Sequence, residues 1–514
     1  SIYEKGFASR ITTGNFDDDL PKIKDYDWII EVVVERLDIK QQLFEKVEKY
    51  RKPGTLITSN TSGIPMHLMS EGRSEDFQAH FAGIHFFNPP RYLKLLEIIP
   101  GPKTKPELID FLMGYGDRFL GKETVLCKDT PAFIANRVGV YSIISGMHAI
   151  EKMGFSVSEV DKLTGPVIGR AKSATFRTMD VVGLDTTVNV SNNLYKALPH
   201  DESRDKFILP KIVEVLYNNK WFGDKTGQGF YKKGKDADGN TVIESLNLTT
   251  LEYSAQDKPR FDSIGKARGA NRLSSKLGIL YSGGDPAADF YHDIITAIAA
   301  YSANRIPEIA DDLYQIDDAL RAGFGWEVGP FETWDLIGFD KVLANIEKAG
   351  YVVPQWILDF KAKGNTTFYK SEYGKRKYYN ILKAEYEVIP GTEEAELSFI
   401  GATKGLVHTE SPYLVVDIGG GSTEFVLGDV SHGVHIAASV STNVGCVRMT
   451  ERHLVTDPPT PAQIAAVELD VATAFNDAAQ VVDFSQAKSV VGVAGTVTTV
   501  SAMALGLEAY EPDV

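Results

Sequence analysis

Cysteine is nearly absent from this chain of 514 residues: Cys127 and Cys446 are the only two. Two thiols cannot build a disulfide framework, so the sequence points to a reducing, cytoplasmic setting. Long apolar runs are absent too. None approaches the ~20 residues of a membrane-spanning helix, and no membrane partner is expected. Excess positive charge is also missing. The 54 basic residues face 69 acidic ones, a net charge of -15 that argues against a nucleic-acid or anionic-membrane partner. The opening SIYEKGFASR has neither an initiator Met nor the apolar core of a signal peptide, and reads as a chain entered partway through. What is present, 43% hydrophobic and 24% charged residues, describes a globular protein of about three domains at ~150 residues each.

Charge and aromatics are unevenly placed. Residues 391–514 hold 16 acidic and 4 basic residues, against 53 and 50 in the preceding 390, and only 6 of the 53 aromatic residues. A composition step this sharp marks a domain boundary, and two sequences of different origin would also produce it.

Along the chain, DWIIEVVV (27–34) has the apolar run of a buried parallel strand. A helical stretch with Leu37, Leu43, Phe44 and Val47 on one face follows, and then the short strand TLITSN. Strand, helix and strand at this spacing make a βαβ unit. AGIHFFNPP and KLLEIIP read as two further strands, so the first ~125 residues look like the later part of an α/β domain. From Pro131 the pattern turns helical, with a capping box at Ser156–Glu159. EVDKLTGPVIGRAKSATFRTMDVVGLD (159–185) recurs as QIDDALRAGFGWEVGPFETWDLIGFD (315–340), a duplicated helical domain with a polar linker between the copies. In the tail, PYLVVDIGGGSTEFVLGDV reads as strand, glycine turn and strand, Thr460–Gln463 as a capping box, and SVVGVAGTVTTVSAMALG as strand, turn and helix.

His85 ends an apolar strand, and Glu97 lies twelve residues on inside the next. A histidine beside a strand is most often structural. A carboxylate inside an apolar strand, however, is costly unless paired, and adjacent strands can bring it onto the imidazole to make an oriented general base. Ser62 in SNTSG and Asn136 in DTPAFIANR read alone as cap or turn residues. Taken together, EVVVERLDIK (31–40), SNTSG, HFFNPP with KLLEI, CKDTPAFIANR and KTGQGFYKK (225–233) strongly resemble the L-3-hydroxyacyl-CoA dehydrogenase family over residues 1 to about 390. The resemblance implies oxidation of the 3-hydroxyl of an acyl-CoA with NAD. His85 would take the hydroxyl proton, Glu97 would orient His85, and Ser62 and Asn136 would hold the substrate oxygen. Glu35, Lys40, Ser62, Asn88 and Lys225 match positions lining the nicotinamide cofactor, and the helical domains would mediate a homodimer. The family's GxGxxG loop does not appear ahead of Asp27, so the match covers the nicotinamide side of the cofactor site and not the pyrophosphate side. The first repeat also has GRAKSATFR where the second has GWEVGPFE.

DIGGGSTEF (417–425) sits between two strands, a context that disfavours a dinucleotide fold. It is either a plain hairpin turn or a set of amides aimed at phosphate. With GTEEAELSFIGA (391–402) and VGVAGTVTT (491–499) it resembles the exopolyphosphatase and guanosine-pentaphosphate phosphatase family. That likeness implies Mg2+ at Asp417, water activation by Glu394, and phosphate cradled by Gly419, Gly420, Gly421 and Ser422. The family's first phosphate loop and its second actin-like half have no counterpart in the sequence.

The expected architecture is therefore a partial Rossmann α/β domain (1–128), two all-α dehydrogenase C-terminal-type domains (129–235 and 266–390) around a linker (236–265), and a partial actin-like, ribonuclease H-like α/β domain (391–514). The two likenesses meet at VIPGTEEAELS, which suggests a chimeric reading frame. Dehydrogenase, phosphohydrolase and non-catalytic fragment are the three functional readings.

Overall fold

The computed structural model describes residues 5–235, 240–256, 259–372, 375–389, 399–406, 410–431 and 434–506. It divides into two compact units, Ser1–Thr367 and Phe368–Val514.

The first unit opens with a five-stranded sheet of β1 (Trp28–Glu31), β2 (Leu56–Ser59), β3 (Phe81–Phe86), β4 (Leu95–Pro100) and β5 (Glu123–Leu126), in that order. All neighbours are parallel except β3 and β4, which are antiparallel. Helix α1 (Leu37–Tyr50) joins β1 to β2, completing the βαβ unit, and buries Phe44 and Val47. Helix α2 (Pro106–Leu120) has proline in its first turn and Gly121 in the left-handed conformation after its last. Side chains alternate across each strand. Ala82, Ile84, Leu96 and Ile98 pack with Leu112 of α2 on one face. Phe81, His85 and Glu97, out of step with these, look to the other.

Two runs of helices follow. The first is α3 (Ala135–Met153), α4 (Val157–Leu163), α5 (Phe176–Val182), α6 (Leu184–Ala197) and α7 (Lys211–Asn218). The second is α8 (Pro286–Asn304), α9 (Leu313–Phe324), α10 (Pro330–Ile337), α11 (Phe339–Lys348) and α12 (Gln355–Ala362). The repeated residues do the same work in each copy. Asp161 accepts hydrogen bonds from the amides of Phe176 and Arg177, and Asp317 from those of Phe331 and Glu332, so each aspartate fastens the start of the helix after its turn. Gly183 (φ 101°) and Gly338 (φ 112°) separate the next two helices in each copy, with backbone angles that side chains resist. The long helices α3 and α8 lie against one another, Tyr141 stacked on Tyr301 at 3.9 Å. The two divergent turns also meet: Arg170 lies 3.9 Å over the Trp326 ring, and the Glu327 amide donates to the Gly169 carbonyl at 2.7 Å. Between the runs, β6 (Tyr231–Lys235), β7 (Thr241–Leu246) and β8 (Tyr253–Ala255) form an antiparallel sheet; β7 and β8 lie in the segment that the sequence presents as a polar linker, and β6 just ahead of it.

The second unit has two sheets. One is antiparallel, of β9 (Tyr369–Glu372), β10 (Lys375–Asn380) and β11 (Glu385–Val388). It lies ahead of the composition step at 391. The other runs β14 (His435–Thr442), β13 (Thr423–Asp429), β12 (Tyr413–Ile418), β15 (Ser489–Val493), with β15 parallel to β12 and the rest antiparallel. Its helices are α13 (Cys446–His453), α14 (Pro461–Ala479), opened by the Thr460–Gln463 capping box, and α15 (Ala494–Ala504). The junction residues 390–398, Glu394 among them, lie outside the described residues. No described helix is long and apolar enough to cross a membrane.

Burial pushes the Asp161 carboxyl up to about 6, against the opposing effect of its amide donors and the Tyr231 hydroxyl. A raised carboxyl is protonated in both states below its ordinary range. Above that range the folded state alone keeps the proton, so this stability is lost as pH rises through about 6. Wild type should therefore lose melting temperature relative to Asp161→Asn between about pH 4 and about pH 7. Parallel melting curves would refute the assignment.

Candidate active site

Because β3 and β4 are antiparallel, the twelve-residue spacing sets His85 directly opposite Glu97. Their side chains meet at 2.6 Å, Nδ1 to Oε2. An ionised carboxylate only accepts, so Nδ1 donates and Nε2 is left with its lone pair. No described residue bonds Nε2. Both groups are shut from bulk water, His85 at 5% and Glu97 at 0% exposure. The other oxygen of Glu97 accepts from the backbone amides of Ile134 (3.1 Å) and Ala135 (2.8 Å), at the start of α3. The helix therefore presents its unpaired N–H groups and positive end to the carboxylate. The chain reaches this position through two consecutive left-handed residues, Ala132 (φ 60°) and Phe133 (φ 51°). Non-glycine residues hold that conformation only where their surroundings enforce it. Here the Ala132 amide donates to the Gly63 carbonyl, and a side chain at Gly63 would meet the Ala132 Cα at 3.2 Å. Phe87 and Phe133 place their rings 4.7 and 5.8 Å from the imidazole. Cys127 is buried nearby, its thiol pushed well up by burial and by the charge of Glu97.

A second set adjoins the first. The buried Lys40 ammonium donates to Glu31 at 2.8 and 3.0 Å and pairs with Glu35 at 3.3 Å. Glu35 in turn accepts from the Thr61 hydroxyl (2.6 Å) and the Ser62 amide (2.9 Å), and the Ser62 carbonyl accepts from Asn136 Nδ2 (3.0 Å). Asn60 accepts from the amide of Phe86, next to His85. The predicted residues Glu35, Lys40, Ser62 and Asn136 are thus joined by side-chain and backbone bonds beside the His85–Glu97 pair. Asn88 is exposed on the loop beyond β3. Lys225 is different: it pairs with Asp185 and lies 5.6 Å from the Phe222 ring, contacts confined to the first helical repeat.

Sequence reasoning passed over Glu31, although a carboxylate inside the apolar run DWIIEVVV carries the same signal as Glu97. It also passed over Thr61, Phe87 and Phe133. The clamping amides leave no sequence trace, since any residue supplies one.

In the second unit the glycine turn closes by a bond from the Gly419 amide to the Ser422 carbonyl, 3.0 Å. The amides of Cys446 and Arg448 donate to the carbonyls of Gly419 and Gly420, docking the start of α13 on the turn. The Arg448 guanidinium lies 3.6 Å from where a Cβ on Gly421 would stand, and it donates to Asn443 at 2.8 Å. It is one of four basic residues after 391, and that scarcity could have singled it out. Asp417 lies half-buried at the end of β12, in register with Glu424 and Val493. Among the described residues no cluster of three His, Cys, Asp or Glu could hold a metal.

Residues 1–130 match the NAD-binding domain of 3-hydroxyacyl-CoA dehydrogenase and residues 133–233 its C-terminal domain, while 373–511 match the Ppx/GppA phosphatase family. The chain carries both dehydrogenase domains and a Ppx/GppA domain. A probable 3-hydroxyacyl-CoA dehydrogenase of Bacillus subtilis (strain 168) is 44% identical over 413 residues, 80% of this chain and 51% of that protein. Another, of Deinococcus radiodurans, is 51% identical over 229 residues, 45% of this chain and 65% of that protein. The chain therefore spans about half to two thirds of the length of these curated relatives. A solved exopolyphosphatase-like protein is 46% identical, covering 26% of this chain and 44% of that one at a TM-score of 0.23. The dehydrogenase domains comprise the Rossmann-like sheet and the first helical run, and the Ppx/GppA domain contains the glycine turn.

Lys40→Met would leave Glu31, 3% exposed, as a buried charge without its counterion. Denaturant unfolding should show a loss of about 3–5 kcal/mol, largely recovered when Glu31→Gln is added. A single variant as stable as wild type would show the pair to be dispensable.

Proposed function

We propose that the first unit performs the chemistry of an NAD-dependent 3-hydroxyacyl-CoA dehydrogenase. It oxidises the 3-hydroxyl of an L-3-hydroxyacyl-CoA to a ketone, as in fatty-acid β-oxidation. The observation that carries this reading is a desolvated imidazole whose Nδ1 is fixed on a clamped carboxylate and whose Nε2 is free. His85 takes the hydroxyl proton at Nε2, and Glu97 stabilises the positive ring that results. Asn136 and Ser62 hold the substrate oxygen within reach. The donor set suits the nicotinamide end of the cofactor: the exposed Ser62 is bonded to the part-exposed Glu35, Asn88 is exposed on the loop beyond β3, and Lys40 acts through Glu35 because its ammonium is buried. NAD, when bound, would supply the hydride acceptor. Lys225 enters this set by family resemblance alone. The substrate is an acyl-CoA, the setting cytoplasmic, and nucleic acid and membrane are not partners. A homodimer through the helical domains would use surfaces other than the α3–α8 seam, which the two repeats already fill.

A second reading belongs to the second unit, whose glycine turn and Arg448 favour phosphate binding. Magnesium at Asp417, with Gly419 to Ser422 as the cradle and Glu394 activating water, would make it a polyphosphate or guanosine-polyphosphate hydrolase.

The two activities separate by assay. With acetoacetyl-CoA, NADH oxidation should fall about 10²–10⁴-fold in His85→Ala while circular dichroism is unchanged. A wild-type rate in that variant would remove His85 from the mechanism. Magnesium-dependent phosphate release, lost in Arg448→Ala, would support the second reading, and no turnover in either assay would leave a chain that folds without catalysing.

A further inference from the structure

The second helical repeat reaches back to the His85–Glu97 pair from several sides. Phe324, the last residue of α9, drives its ring into α3 at Gly139, where an added Cβ would lie 2.2 Å from the ring. The same ring meets Phe87 at 5.8 Å, and Phe87 meets His85 at 4.7 Å. Gly323 packs against Leu95, the first residue of the strand that carries Glu97, and a side chain there would come within 2.6 Å of it. Gln315 donates to the Leu126 carbonyl and the Ile309 carbonyl accepts from the Lys128 amide, both at 3.1 Å, which brackets Cys127. Arg137, next to Asn136, is wholly buried and donates to Tyr301 at 2.6 Å and Glu308 at 2.9 Å.

The two rings beside the imidazole are held differently. Phe133 belongs to the left-handed turn at the head of α3 and is wholly buried. Phe87 stands where β3 runs out into an exposed loop, so its packing must come from elsewhere. We propose that Phe324 is a positioning residue for His85, holding Phe87 against the imidazole so that Nε2 keeps one direction, and that the second repeat is thereby part of the His85–Glu97 site. An imidazole held by its own Cβ and by one hydrogen bond at Nδ1 can still rock about the line joining the two. A ring wedged at its side removes the motion, and small errors of placement at a general base are expensive in rate. The inference rests on the dehydrogenase reading for its catalytic meaning but not for its geometry.

The test therefore reads geometry and turnover separately. In protein with 15N-labelled histidine, the Nδ1 proton shared with Glu97 should give a downfield resonance that exchanges slowly with solvent. In Phe324→Ala that proton should exchange about tenfold faster, with cooperative unfolding retained. Phe324→Met, which refills the volume, should restore slow exchange. Gly139→Ala, which displaces the ring from the opposite side, should reproduce the loss. In turnover, kcat should fall about tenfold in Phe324→Ala with little change in KM. Wild-type proton exchange in folded Phe324→Ala overturns the proposal. Should that variant fail to fold, Phe324→Val takes its place: faster exchange supports the proposal and wild-type exchange overturns it. If wild type itself has no dehydrogenase activity, the dehydrogenase reading fails while the proton exchange still decides the role of Phe324.

Discussion

A carboxylate with no exposure to water governs how the first unit is built. An ionised group the size of Glu97 costs several kcal/mol to bury unless its oxygens are satisfied. One oxygen is met by an imidazole across the sheet and the other by two amides at the head of a nineteen-residue helix. These demands fix the antiparallel turn of β4 against β3, the placement of α3 with its axis toward the sheet, and the left-handed pair that precedes it. The strain at Ala132 and Phe133 is of order 1–3 kcal/mol each, comparable to the charge-assisted hydrogen bonds it permits.

The neighbouring network follows the same logic at one remove. Lys40 is almost wholly buried, and its counterions Glu31 and Glu35 sit on the strand exit just before its helix. Through Glu35 the charge pattern reaches the loop at Thr61 and Ser62, and through Asn136 it returns to the helix that clamps Glu97. Two buried ion systems therefore share the same loop and the same helix, so a movement of either element disturbs both.

Much of this was legible in the sequence, for identifiable reasons. The His85–Glu97 pair followed from two strands too close in sequence to be anything but neighbours, together with the cost of an unpaired carboxylate. The βαβ unit, the duplicated helical runs and the hairpin around Gly419–Gly421 followed from periodicity and self-similarity. Contributions from the backbone were invisible, as with the Ile134 and Ala135 amides. So were contacts made by distant segments: Phe324 reads as one more apolar residue on a helix, and Arg448 reaches the glycine turn only because α13 folds back onto it. Lys225 is a further case: a motif match sets it among the cofactor residues, and its ion pair with Asp185 leaves no trace in that motif.

The divergent turns of the two repeats bear on symmetry. Arg170 and Trp326 each follow a left-handed glycine, Gly169 and Gly325, and they stack on one another. In an association of identical subunits, matching positions on a two-fold axis carry the same residue, so this contact would be two guanidiniums facing one another or two indoles. Joining both copies in one polypeptide lifts that restriction. Each position mutates alone, and a cation can settle on an aromatic face that no self-pairing surface could offer. Covalent duplication has here allowed a contact that is heterodimeric in character between two halves of common pattern.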